Sequence, residues 1–174
     1  SGLNGQPVIR FDGVDDFLTG SGLDLRAEEE VTFIFVTNSL SSQNPGDAWY
    51  GGAYSQLFFE ESEDHGRVYI SIQQDSVNWY FGTGSWQSSP PSFSRPSSIG
   101  TNYTTTMIVR SAGSEELFIN GAAVLSYTDS YSTLSDMGET FWVGKSSEGY
   151  GFSHGDIAEM IILKQAITPT ERVE

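Results

Sequence analysis

Apolar and polar residues alternate with a period of two in short runs of the chain, and that period predicts β-strands. Between Arg67 and Gln73, Val68, Ile70 and Ile72 share one face while Tyr69, Ser71 and Gln73 share the other, which is expected to meet solvent. Residues Val77 to Phe81 alternate in the same way, with Val77, Trp79 and Phe81 assigned to the core and Asn78 and Tyr80 to the opposite face. The stretch Val31 to Thr37 is β-branched and aromatic throughout, which predicts a strand buried on both faces. Further strands are expected at Leu57–Phe59, Thr104–Arg110, Glu116–Ile119, Ala122–Tyr127, Phe141–Gly144 and Gly155–Leu163. Asn120-Gly121 stands between two of them and is a strong type I′ hairpin signal. The acidic stretch from Glu60 to Gly66 reads as a solvated turn.

No amphipathic helix of useful length precedes Thr168. There Thr168-Pro169-Thr170-Glu171 offers an N-cap, a proline at the first helical position and a capping-box acid, so a short helical turn is expected. Strands without intervening helices pair antiparallel, and this many form two stacked sheets. Residues 84–102, with Pro90, Pro91 and Pro96, show no alternation and are expected to form a long surface loop. The fold class is therefore all-β, an antiparallel two-sheet sandwich with a short C-terminal helical turn, in one domain spanning residues 3–174.

Composition narrows the function classes. With 174 residues, 37 % of them hydrophobic and 13 % aromatic, the chain can bury a sizeable core. No apolar run approaches the roughly 18 residues that a membrane span needs. The opening Ser1-Gly2 reads like a cloning junction on a domain excised from a larger protein. The absence of cysteine excludes disulfides and thiolate zinc sites. A formal net charge of −15 argues against nucleic acid as a partner. The plain meaning of that charge is solubility; the functional one is that some carboxylates hold calcium.

Catalytic material is thin. His65 and His154 are far apart, and neither a His-Glu-x-x-His nor a Gly-x-Ser-x-Gly motif is present. Glu60, Glu61, Glu63 and Asp64 read first as a solvated acidic turn and second as calcium ligands. Binding has better material, because sugars present apolar C–H faces to aromatic rings and hydroxyls to planar polar groups. Trp49, Tyr50 and Tyr54 lie in a glycine-rich segment and Trp86 in the Ser/Pro-rich stretch. Together with Tyr69, Gln73, Asn78 and Tyr80 they are the candidate ligand-binding residues; packing across the sandwich edge is the alternative use of the loop rings. Trp142 fits the core or the surface equally.

Three segments together resemble the laminin-G-like or concanavalin A-like jelly-roll superfamily, in the form found in bacteria and phages. Val8-Ile9-Arg10-Phe11-Asp12-Gly13-Val14-Asp15-Asp16-Phe17-Leu18 is similar to its opening strand and turn. Leu117-Phe118-Ile119-Asn120-Gly121 is similar to a strand entering an Asn-Gly turn. The segment from Gly155-Asp156-Ile157-Ala158-Glu159 through Ile161-Ile162 to Thr168-Pro169-Thr170-Glu171-Arg172 looks like the closing strand and helical turn. The resemblance implies a jelly roll and mostly structural roles for the signature residues, with the Asp12 side chain bonding backbone amides and Asp156 and Glu159 acting similarly. Its members include glycan-binding modules, adhesin domains, sialidase-associated lectin domains, phage particle proteins and polysaccharide-degrading enzymes, some bearing calcium. The endo-glucanases among them carry Glu-x-Asp-x-(x)-Glu on a strand, a spacing that Glu60-Glu61-Ser62-Glu63-Asp64 does not match. The resulting expectation is a non-catalytic, extracellular or cell-surface glycan-binding domain of a larger protein. A structural or protein-interaction domain of a cell surface or virion comes second, and a glycan-cleaving enzyme third.

Overall fold

The computed structural model describes residues 3–25, 28–42, 56–61, 67–72, 76–82, 92–94, 102–128, 140–145 and 152–173. Among these, twelve strands form two six-stranded sheets, and every pairing is antiparallel. The first sheet contains β1 (Ile9–Asp12), β12 (Ser153–Leu163), β3 (Glu30–Ser42), β8 (Thr104–Ser111), β9 (Ser114–Ile119) and β10 (Ala122–Thr128), in that order. The second contains β2 (Leu18–Ser21), β11 (Thr140–Val143), β4 (Gln56–Glu61), β5 (Arg67–Ile72), β6 (Ser76–Gly82) and β7 (Ser92–Ser94). The chain is a jelly-roll sandwich.

The period-two pattern becomes the core. Phe33, Phe35 and Ile108 from the first sheet meet Val68, Ile70, Ile72, Val77 and Trp79 from the second, all fully buried. Phe33 stacks on Phe81 across the sandwich, with ring centroids 5.7 Å apart. The core also holds charge. Arg110 and Glu115 stand opposite each other on β8 and β9, both buried, and the Trp79 indole N–H donates to Glu115 Oε2 from the other sheet. That bond links the two sheets through the core.

The C-terminal segment covers the outer face of the first sheet. Ile167 and Ala166 pack on Met107, Val109 and Phe118 in a second, smaller core. Thr32 anchors the segment: its hydroxyl donates to the Gln165 carbonyl (2.7 Å) and accepts from the Ile167 amide (3.2 Å). The expected capping box is present. The Thr168 amide donates to Glu171 Oε2 (2.7 Å), the Glu171 amide donates to Thr168 Oγ1 (3.4 Å), and a single 3₁₀ turn, Glu171–Val173, follows. Arg172 closes it, 4.4 Å above the Phe118 ring and 3.1 Å from Glu116.

Several local expectations need correction. The 84–102 stretch contains β7, whose three residues are too short to show alternation and whose flanking prolines suit a sheet edge. Glu60 and Glu61 belong to β4, paired with Val68 and Arg67, and not to a turn. Opposite charges at Glu61 and Arg67 suit directly paired positions, which an acidic run read alone cannot reveal. Ser71, expected at the surface, is fully buried. The β8–β9 turn, Ala112-Gly113, is a second hairpin with positive φ at both residues (44° and 84°), like the expected one at Asn120-Gly121 (50° and 80°).

Candidate glycan-binding face

The second sheet turns its other face away from the shared core. Strand register assembles it from residues far apart in sequence. Thr19 stands opposite Trp142, Trp142 opposite Phe59, Phe59 opposite Tyr69, and Tyr69 opposite Tyr80. Directly paired positions share a sheet face, and position 69 alternates with the buried Val68 and Ile70, so the backbone register assigns this row of positions to the face away from the core. A second row follows on the same face, with Gln56 opposite Ser71, Ser71 opposite Asn78 and Asn78 opposite Ser92. An aromatic row therefore runs beside a polar one.

The glycine at position 20 fits this arrangement. It faces Phe141 from the neighbouring strand, and a Cβ there would come within 2.3 Å of that ring, so only glycine lets β2 lie against β11. In the polar row Ser71 is fully buried and its hydroxyl has no hydrogen-bond partner, while Asn78 is 8 % exposed. A buried hydroxyl without a partner is costly, by about 1–3 kcal/mol, and the full burial of Ser71 puts this position out of reach of the surface.

Of the eight candidate ligand residues, the register brings together Tyr69, Asn78 and Tyr80. Trp49, Tyr50, Tyr54, Gln73 and Trp86 lie outside the described residues, as do the side chains of Tyr69 and Tyr80. Sequence reasoning missed Phe59 and left Trp142 undecided, since only the pairing of β11 with β4 puts them beside Tyr69. Among the proposed calcium ligands, Glu63 and Asp64 lie outside the described residues, as do the side chains of Glu60 and Glu61.

The described residues do contain one carboxylate group that could contribute to a cation site. Oxygens of Asp12, Asp15 and Asp16 lie within 4.8 Å of one another, all exposed. Much of their capacity serves the turn itself. Asp12 Oδ1 accepts from the amides of Val14 (2.8 Å) and Asp15 (3.4 Å), and Asp16 Oδ2 accepts from the Asp12 amide (3.1 Å). The Val14 amide above all holds the Asp12 carboxyl below its ordinary range. This is the amide-bonding role expected of Asp12.

Asp156 works differently from that expectation. Its carboxylate takes a two-pronged contact from Arg10, at 2.7 Å to Nε and 2.9 Å to Nη2, and accepts from the Tyr103 hydroxyl at 3.3 Å. Arg10 holds the Asp156 carboxyl below its ordinary range; burial, then the neighbouring carboxylate, pushes the Tyr103 phenol up. The cluster staples β1 to β12 beside the opening of β8.

The profile of the Concanavalin A-like lectin/glucanases superfamily matches residues 44–171. The chain belongs to that superfamily. No curated protein matches the sequence. Solved structures of the same superfamily shape resemble it at low identity. The NanB sialidase from Streptococcus pneumoniae (K499G mutant) superposes with a TM-score of 0.67 at 16 % identity, over 94 % of this chain and 26 % of the sialidase. Domains LG4-5 of the mouse laminin alpha1 chain give 0.63 at 12 % identity, over 92 % of this chain and 42 % of theirs. The CBM40 of the Ruminococcus gnavus IT-sialidase, bound to alpha2,3 sialyllactose, gives 0.60 at 12 % identity, over 90 % and 96 %. The chain thus spans about a quarter of the sialidase and nearly all of the CBM40. At such identities the likeness concerns the fold.

Proposed function

We propose that this domain recognises glycans without cleaving them, on the outer face of its second sheet. The observation that carries the reading is the aromatic register row Trp142–Phe59–Tyr69–Tyr80. Strands about 4.8 Å apart make the aromatic row, with Thr19, about 19 Å wide, room for several sugar rings. Rings stack on sugar C–H faces, while hydroxyl and amide groups fix the orientation of sugar hydroxyls. The CBM40 of similar shape, which binds sialyllactose, supports a binding role for such a domain. Secretion or display on a cell surface, within a larger protein, fits that role and the partial coverage of the sialidase and laminin chains.

A glycan-array screen of the purified domain tests the proposal, run with and without calcium. Retention of at least one glycan family, competed away by the free sugar, is expected. Release of reducing ends from retained polysaccharides would contradict the non-cleaving part, and an array without retention would contradict the whole.

A further inference from the structure

The four large apolar side chains left exposed among the described residues all fall between positions 9 and 18: Ile9 (47 %), Val14 (65 %), Phe17 (42 %) and Leu18 (43 %). Their place in the fold explains the grouping. β1 is an edge of the first sheet and β2 an edge of the second, and the turn between them crosses from sheet to sheet. Ile9 is paired with buried Ile157, and Leu18 with buried Val143, so both occupy core-facing positions at the margin of the sandwich. The two sheets do not close over them. The result is an open apolar seam, with Val14 and Phe17 at its turn end, the Phe17 ring lying 3.6 Å from the Lys145 ammonium.

The two strands bordering the seam differ. β1 carries Arg10 and Asp12, charges of the kind that discourage a further strand from pairing. β2, Leu18-Thr19-Gly20-Ser21, carries none, and β11 is its only partner among the described strands. Asp12, Asp15 and Asp16 border the turn end, within a chain of formal charge −15. That charge repels a second copy of the same chain and attracts a cationic segment. We propose that the seam is a protein-docking surface, taken by an extended segment of alternating basic and apolar residues that adds to β2. Its apolar residues would cover Leu18 and Ile9, and its cations would meet Asp15 and Asp16, in the manner of strand addition to an open sheet edge.

The test is a titration of isotope-labelled domain with an eight-residue alternating lysine–valine peptide, followed by backbone amide NMR shifts. Expected are saturable shifts concentrated on residues 14–21, and at least tenfold weaker binding in Leu18→Lys and in the Asp15→Asn/Asp16→Asn double variant, each shown to be folded by a cooperative melting curve. The Val14→Ser variant, altered at the most exposed position, should weaken binding as well. A peptide N-methylated at every residue keeps charge and apolarity but has no amide to donate to a strand edge, and it should not bind. Shifts spread evenly over the surface, equal binding of the methylated peptide, or variants that bind like the parent would overturn the proposal. So would equal binding of an alternating glutamate–valine peptide.

Discussion

Single residues in this domain are constrained by backbone conformation and by charge, and the two can be tested separately. Ala112 adopts a φ of 44° in the β8–β9 hairpin, where an L side chain crowds its own carbonyl. Ala112→Gly should therefore stabilise the domain by about 1 kcal/mol in chemical unfolding. Gly144 is the opposite case. It has a φ of 89°, and a Cβ there would lie 2.7 Å from the Phe11 ring, so Gly144→Ala combines backbone strain with overpacking. A loss of about 2–4 kcal/mol is expected. Gly121→Ala, at a φ of 80° with open space around it, should cost about 1–2 kcal/mol, the backbone share alone. Equal losses at 121 and 144 would show that the Phe11 contact is immaterial. Asp156 carries a pH signature. Its folded carboxyl is held below the ordinary value of 3.8, chiefly by Arg10, so its stabilisation is complete above that value and is lost as pH falls through the folded one. The stability gap between the parent and Asp156→Asn should be widest near neutrality and narrow below about pH 4. A gap that stays constant into acid would contradict the assignment.

At the scale of elements, the strands were legible because alternation is local. Residues 67–72 and 77–81 declare their faces within a few positions, and Asn120-Gly121 declares its turn. The C-terminal segment was half legible. Its capping box could be read from Thr168 and Glu171, but its role as a strap over Met107, Val109 and Phe118 could not, since Ile167 meets them only after folding. Two variants separate these roles. Thr168→Ala should lose about 1 kcal/mol, the usual cost of a cap. Ile167→Ala should lose about 2–5 kcal/mol, the cost of emptying a buried position. Urea midpoints of the two decide, and equal small losses would mean that the strap adds little to the sandwich.

The site belongs to the whole molecule, which is why so little of it could be read in advance. Tyr69 and Tyr80 lie close in sequence and were found; Phe59 and Trp142 join them through pairings that span 83 positions, from β4 to β11. Alternation says which face a residue takes, not whether that face is covered, so Ser71 was expected in solvent and is buried. The same limit applies to the seam: Ile9 and Leu18 have the period of core residues, and only the arrangement of sheet edges leaves them exposed. We propose that the aromatic row on the second sheet holds sugar. The most direct test is calorimetric titration of parent and Tyr69→Ala with a glycan retained on the array, each protein's folding checked by its melting curve. Parent binding that falls about tenfold or more in the variant, with melting little changed, is the predicted result; a stacked ring is worth about 1–3 kcal/mol by analogy with base stacking. A folded Tyr69→Ala domain that binds the glycan as tightly as the parent would contradict the account.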